Sequence, residues 1–263
     1  MNRPIAASLL ALLIGAPALA QAAQTCSAHS PAHGVALLEL YTSEGCDSCP
    51  PADQFVSSLR AAGVGPAQAV LLALHVDYWN NADWKDPFSR ATFTQRQHQL
   101  AELAGAGALY TPEIFIAAKE VRGDVQRWSR AVPEAVKRVN AKPARAAIAI
   151  TLGQAGADGL PVEVTASAAE GGTLYVALVQ SGLINKVAGG ENVGRALRHD
   201  FVVREWLAPL ALAGADGAKP GAALKRTVAL PAGALPKDLA VSAFVQSRQG
   251  EVLQAFALPV CGN

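Results

Sequence analysis

The fold is decided by the stretch ELYTSEGCDSCPP, residues 39–51, which places a C-x-x-C motif between a predicted strand and a predicted helix. The apolar run over residues 35–41 predicts a buried strand, and residues 50–62 predict a helix with prolines in its first turn. A thiolate at the beginning of a helix is stabilised by backbone amides, and a cysteine three residues on can resolve a mixed disulfide. The stretch therefore predicts a redox centre in which Cys46 attacks and Cys49 resolves.

Two other kinds of site also use a C-x-x-C motif. Structural zinc sites usually contain two such pairs, and the chain has neither a second pair nor a closely spaced pair of histidines to complete one. A purely structural disulfide is the stronger alternative, because close cysteine pairs in exported proteins are commonly oxidised. The sequence leaves both alternatives open.

Residues 1–22 have the pattern of a secretory signal peptide, with Arg3, a short apolar run and an A-x-A cleavage site at residues 18–20. The apolar run is too short to span a membrane. We therefore expect cleavage and a mature protein without a membrane anchor, located in the periplasm or secreted. The net charge is +1 and no basic cluster is present, so nucleic acid is not an expected partner. No cofactor is expected.

All four cysteines follow this leader, and an even number suits an oxidising compartment. The simplest connectivity joins Cys46 to Cys49 and Cys26 to Cys261, which would close nearly the whole mature chain into one loop. The two other pairings would use a motif cysteine as a structural partner and are less consistent with a redox motif.

The pattern of apolar segments changes near residue 143. Over residues 23–142, short apolar runs alternate with helical patterns, which predicts an α/β sheet covered on both faces. Over residues 143–263, strand patterns separated by Gly, Pro and Asp predict an antiparallel β-sandwich-like domain. Two domains are therefore expected.

Several segments resemble one family of bacterial exported proteins of unknown function, DUF1223. They are LYTSEGCDSCPPAD (residues 40–53), HVDYW (75–79), WKDPF (84–88), YTP (110–112) and GENVGRALRHD (190–200). The resemblance implies an α/β thioredoxin-like domain followed by the β-rich domain. It implies no substrate, because the activity of the family is not established.

In thioredoxin-like folds a cis-proline faces the C-x-x-C motif, and Thr111-Pro112 resembles that element. A trans proline that opens a strand is the alternative. The loop after the second predicted strand should share a sheet edge with the motif. We therefore predict substrate contacts at Tyr78, Trp79, Trp84 and Thr111, although large aromatic side chains in a loop also commonly serve as packing anchors.

Two ionisable residues lie inside predicted strands. Glu39 is either a proton shuttle for the resolving thiol or an ordinary ion-pair partner. His75 is either a core residue or, together with Cys46 and Cys49, part of a copper(I) site, for which thiolates are suitable ligands.

The densest polar cluster of the second half comprises Asn192, Arg195, Arg198, His199 and Asp200. It could bind an anion or a partner through its arginines. We favour the alternative that it forms a hydrogen-bonded loop that pins the β-rich half.

The function predicted from these features is thiol–disulfide oxidoreduction on protein disulfides. The expected partners are protein thiols or disulfides, or a periplasmic redox partner. A copper(I)-binding or metallochaperone module and a non-enzymatic binding protein are the alternatives.

Overall fold

The computed structural model describes residues 25–214 and 221–261, so the predicted signal peptide lies outside the described residues. The helices in these ranges are α1 (Cys49–Ser58), α2 (Ala91–Ala104) and α3 (Val125–Asn140). The strands are β1 (Cys26–His29), β2 (Ala36–Thr42), β3 (Ala69–His75), β4 (Glu113–Ile116), β5 (Lys119–Glu120), β6 (Ala146–Leu152), β7 (Leu160–Ala168), β8 (Gly172–Gln180), β9 (Leu183–Lys186), β10 (Ala196–His199), β11 (Val202–Leu212), β12 (Ala222–Val228), β13 (Leu239–Gln246) and β14 (Val252–Pro259).

Eight strands from both halves of the chain form one mixed sheet, in the order β14-β13-β8-β11-β3-β2-β4-β5. Strands β2 and β3 are parallel, with Thr42 opposite His75. The halves of the sheet meet where β11 runs parallel to β3, with Val202 opposite Ala73. The backbone N–H of Ala73 donates to the carbonyl oxygen of Phe201 at 2.8 Å. Strands from both sides of the predicted domain boundary at residue 143 therefore belong to one continuous sheet.

A second sheet, β1-β6-β7-β12, is antiparallel and packs on one face of the eight-stranded sheet. Alternation along β8 shows this packing. Leu174, Val176 and Leu178 belong to the core between the two sheets, whereas Ala177 and Val179 belong to the core on the opposite face. A third apolar core lies under α1 and α3. Among the described strands, β9 and β10 pair only with each other, and they form a hairpin, residues 183–199, which we call the β9–β10 hairpin.

The predicted α/β thioredoxin-like domain is wrong. The described residues are mostly strand, and the strands assigned to that domain continue into a sheet shared with the second half of the chain. The physical reason lies at β3, which is buried along its whole length and needs a hydrogen-bonding partner on each edge. Strand β11 supplies the second partner. The two facing sheets are compatible with the predicted β-sandwich-like arrangement. The domain ranges 23–142 and 143–263 stay predictions.

The ends of the described chain are joined by the Cys26–Cys261 disulfide, whose Cα atoms lie 6.2 Å apart. This bond confirms the predicted terminal pairing. Strand β1 pairs with β6, so the bond also ties an edge of the four-stranded sheet to the segment that follows β14. None of the helices in residues 25–214 and 221–261 has the length and apolar character needed to cross a membrane.

Glu113 is a buried carboxylate at the beginning of β4. Gln97 Nε2 donates to its Oε2 at 2.6 Å, whereas Oε1 has no hydrogen-bond partner among the described residues. Burial raises the pKa of Glu113 to about 7, although the hydrogen bond from Gln97 acts in the opposite direction. The folded protein therefore holds a proton on Glu113 at pH values where the unfolded chain has released it.

We predict that Glu113 lowers the free energy of unfolding as the pH rises from about 4.5 to about 7. Over this window the folded state binds more protons than the unfolded state, so stability decreases with pH. Glu113→Gln keeps the shape and removes this decrease, which makes the variant more stable than wild type at pH 8. Urea unfolding from pH 4 to 8 measures the effect, with the exposed Glu163→Gln as control. Parallel wild-type and Glu113→Gln profiles would contradict the prediction.

Candidate functional site

The Cys46–Cys49 disulfide joins the turn after β2 to the first residue of α1, and its Cα atoms lie 5.5 Å apart. The bond confirms the predicted pairing. Cys46 is 1% exposed and Cys49 is 0% exposed, whereas the intervening Asp47 and Ser48 are exposed. A protein disulfide therefore cannot reach either sulfur without a movement of the residues that cover them.

The β9–β10 hairpin covers this turn and is hydrogen-bonded to it. Asn192 Nδ2 donates to the carbonyl oxygens of Glu44 at 2.9 Å and Cys46 at 2.8 Å. The backbone N–H of Asp47 donates to Glu191 Oε2 at 2.9 Å. All three of these groups on the turn belong to the backbone, so these contacts depend on the backbone conformation of the turn rather than on its side chains.

Two neighbouring glycines of the hairpin, Gly189 and Gly190, are explained by close approach and by backbone conformation. A Cβ atom at Gly190 would lie 3.5 Å from the α-carbon of Gly45, and Gly190 has a φ of +71°, which favours glycine. A Cβ atom at Gly189 would overlap the carbonyl oxygen of Asp83. The hairpin therefore packs against both the cysteine turn and the loop that follows β3.

Glu44 connects the hairpin to the site through its buried carboxylate. Asn185 Nδ2 donates to both of its oxygens, at 3.1 and 2.8 Å, and His199 Nε2 lies 3.0 Å from Oε1. Burial opposes protonation of His199, but the carboxylates of Asp53 and Glu44 outweigh it and raise the pKa of His199 to about 9. His199 Nδ1 lies 3.9 Å from Asp53 Oδ1, so that attraction is ionic rather than a hydrogen bond.

His75 is held by Asp86 in the loop before α2. Its Nδ1 lies 2.7 Å from Asp86 Oδ2, which also accepts a hydrogen bond from the backbone N–H of Glu44 at 2.9 Å. Burial opposes ionisation of Asp86, but His75 and the backbone amides of Glu44 and Phe88 hold its pKa below the usual range. Asp86 is therefore a carboxylate that accepts, and Nδ1 of His75 carries the proton.

Three buried side chains converge behind the cysteine turn: Asp53 from α1, His75 from the end of β3 and His199 from the end of β10. One potential ligand atom from each lies within 4.8 Å of the others. The two imidazole rings are 5.0 Å apart and nearly perpendicular. These are the described residues best placed to hold a metal ion.

The structure brings part of the predicted substrate surface to the cysteine turn. A Cβ atom at Gly45 would lie 3.1 Å from Trp79 Cβ, and Trp79 Nε1 donates to Thr111 Oγ1 at 2.7 Å. The next peptide bond, Thr111–Pro112, is cis. Trp79 therefore links the turn to the segment that contains Pro112.

The remaining predicted aromatic contacts differ in exposure. Tyr78 is exposed, at 43%, whereas Trp84 is partly buried and packs near Gly190 of the hairpin. The indole nitrogen of Trp84 is buried without a hydrogen-bond partner among the described residues. Tyr78 is thus the aromatic side chain of this loop that is open to an incoming molecule.

Glu39 is not brought to the cysteines. It lies on the face of β2 that carries Tyr41, opposite the face packed against α1. Arg96 donates to both of its carboxylate oxygens, from Nε at 3.0 Å and from Nη2 at 3.1 Å. The structure therefore places Glu39 in a buried ion pair, which was the alternative to a proton shuttle.

The predicted copper set is not assembled here. Both cysteine sulfurs are in a disulfide and offer no thiolate, and His75 instead faces His199.

Within the polar cluster of the second half of the chain, Asn192 and His199 are buried at the cysteine turn. Arg195 donates to Asn192, and Arg198 lies 3.9 Å from Asp200.

Sequence reasoning missed Glu44, Asp53, Asp86 and Asn185 as site residues. A signal was present, because the first three lie inside the segments that carry the family resemblance, flanking the C-x-x-C motif or following HVDYW. A polar residue that is to be buried is hard to recognise from one sequence, since its partners lie far along the chain. Glu44 and His199, for example, are separated by 155 positions.

The chain belongs to the DUF1223 family, a family of proteins of unknown function, whose model matches residues 37–246. No curated protein matches the chain. The crystal structure of a protein from Agrobacterium tumefaciens is similar, with a TM-score of 0.59 and 22% identity, over 88% of this chain and 97% of that chain. At this identity the likeness shows the fold alone.

We predict that Glu39→Gln destabilises the protein and leaves the chemistry of the disulfide unchanged. Removal of one partner leaves Arg96 charged and buried, which costs about 3–5 kcal/mol in the free energy of unfolding. Urea unfolding measures the loss, and the rate of Cys46–Cys49 reduction under native conditions measures the chemistry. The exposed Glu102→Gln on α2 is the control. A slower reduction at unchanged stability would instead support a proton-shuttle role.

Proposed function

We propose that this chain is an exported protein whose Cys46–Cys49 pair exchanges disulfides with client proteins. The observation that carries the proposal is the placement of this disulfide at the beginning of α1, beneath a hairpin bonded to the same turn. Export is supported by the signal-like pattern of residues 1–22, together with two disulfides.

In the reduced protein, the Cys46 thiolate attacks one sulfur of a client disulfide and forms a mixed disulfide. The other client sulfur leaves as a thiolate and takes up a proton. Cys49, as thiolate, then attacks Cys46 Sγ and releases the second client thiol. The client gains two electrons and two protons, the Cys46–Cys49 bond forms again, and an external dithiol must reduce it.

Burial adds a requirement to this chemistry. Exchange needs an approach along the axis of the disulfide, and in the closed arrangement the sulfurs are covered. The hairpin is held over the sulfurs by hydrogen bonds: Asn192 donates to the carbonyl oxygen of Cys46, and Glu191 accepts from the backbone N–H of Asp47. Displacement of the hairpin is therefore the step that would expose the sulfurs.

The reduction potential of the Cys46–Cys49 pair tests the proposal. We expect a value above about −300 mV, together with catalysis of insulin reduction by dithiothreitol that is lost in Cys46→Ser. Mass mapping of alkylated peptides distinguishes this bond from Cys26–Cys261, and the double variant Cys26→Ser/Cys261→Ser is the control that retains activity. A potential below about −300 mV with no insulin reduction would identify an inert structural disulfide.

A second prediction concerns access. Asn192→Ala removes two hydrogen bonds between the hairpin and the turn, each worth about 1 kcal/mol. We expect reduction of the Cys46–Cys49 disulfide by dithiothreitol to become about tenfold faster or more, measured by quenched alkylation. Val193→Ala, at an exposed position of the same hairpin, is the matched control and should react like wild type. Equal rates for all three proteins would mean that the hairpin does not limit access.

A further inference from the structure

We propose that Asp53, His75 and His199 form a buried zinc site in the disulfide-bonded protein. This site is separate from the thiol chemistry proposed above, because none of its ligands is a cysteine. It lies at the junction of three elements, α1, β3 and β10, behind the turn that carries Cys46.

The spacing of the three side chains fits a small cation. Their potential ligand atoms lie within 4.8 Å of one another. Ligands at about 2.0–2.2 Å from a tetrahedral zinc ion are themselves separated by about 3.3–3.6 Å, so closure needs side-chain movements of about 1 Å. All three side chains are buried, which provides the enclosed setting of a protein-made site.

The two histidines each present a nitrogen that nothing else uses. His75 Nε2 and His199 Nδ1 are buried and have no hydrogen-bond partner among the described residues. Buried polar atoms normally find a partner, and two such orphans at the same place need an explanation. A metal ion between them accounts for both.

The opposite nitrogens are already oriented by carboxylates. His75 Nδ1 lies 2.7 Å from Asp86 Oδ2, and His199 Nε2 lies 3.0 Å from Glu44 Oε1. This carboxylate–histidine arrangement fixes the ring and directs the other nitrogen toward a metal, as it does in metalloproteins generally. Asp53 is oriented in the same way, because Thr42 Oγ1 donates to its Oδ2 at 3.0 Å and leaves Oδ1 toward His199.

The charge balance also favours a cation. Three carboxylates, Glu44, Asp53 and Asp86, are buried together, and in residues 25–214 and 221–261 their only ion-pair partners within 4.0 Å are the two histidines. The two imidazoles can offset at most two of these three acidic groups. A divalent cation would supply further positive charge, and buried charge without compensation is costly.

The ligand set selects the kind of ion. Two imidazoles and one carboxylate suit zinc, whereas magnesium and calcium prefer an all-oxygen set and copper(I) prefers thiolates or thioethers. Three protein ligands leave a fourth zinc position for water, as in zinc sites that are not closed by protein. The alternative is an ion-pair cluster that never holds a metal, and the experiment below separates the two.

The test is a titration of chelator-treated, full-length mature protein with Zn²⁺ against a competing chromophoric chelator. Both disulfides stay intact, as verified by thiol titration, so that thiolates cannot contribute. We expect one zinc per chain. Asp53→Asn, which preserves shape, should weaken binding by more than about 100-fold, and Asp86→Asn by about 10–100-fold. His98→Gln, an exposed histidine on α2, is the control and should bind like wild type.

X-ray absorption of the zinc-loaded wild type provides a measurement that needs no variant to fold. It should show two imidazoles and further oxygen, with no sulfur. Zinc should also raise the melting temperature of wild type and not that of Asp53→Asn. The proposal is overturned by substoichiometric binding to wild type, by sulfur in the first shell, or by unchanged affinity in a folded Asp53→Asn. None of these outcomes depends on whether Cys46–Cys49 is redox-active.

Discussion

The contacts of the buried residue Glu44 are those on which the arrangement of the cysteine turn and its surroundings depends. Its oxygens hold Asn185 and His199 of the hairpin, and its backbone N–H holds Asp86 in the loop before α2. Its carbonyl oxygen accepts from Asn192. One residue, two positions before Cys46, thus joins the cysteine turn to the hairpin and to the loop before α2. At 0% exposure these contacts supply the hydrogen-bond partners that a buried polar group needs.

The hairpin is attached by a few buried apolar side chains and by polar contacts. Val187 and Leu197 are 1% and 6% exposed, but none of its residues belongs to the three apolar cores of the described chain, and Ile184 and Val193 are 70% and 61% exposed. Hydrogen bonds and ion pairs supply its other contacts. A segment with few buried apolar side chains opens at a lower free energy than a core strand, because its release exposes less apolar surface. The hairpin over the disulfide is therefore more easily moved than β2 and α1, which flank the disulfide.

Much of the local structure could be predicted from the sequence. The apolar run over residues 35–41 and the helix pattern over residues 50–62 are local signals, and β2 and α1 lie within a few residues of these predicted ranges. The same was true of the terminal disulfide, since only two cysteines remained after the motif pair. By contrast, β9 and β10 fall in a polar stretch with mixed periodicity, and sequence pattern carries no information on which strand pairs with β3.

The error in the fold and the residues missed in the site have one origin. Parallel pairing of β2 and β3 places Thr42 opposite His75, so the loops carrying Glu44 and Asp86 leave the sheet side by side. Pairing of β11 with β3 at Val202 and Ala73 then brings the residues just before β11 to the same edge, and His199 is among them. An isolated α/β domain ending near residue 142 has no such partner. In such a domain His75, Asp86 and Glu44 would still lie together, but no residue would pack against them from the β11 side of the sheet. The shared sheet is what completes the polar centre, because it supplies the second histidine from the half of the chain that local patterns assign elsewhere.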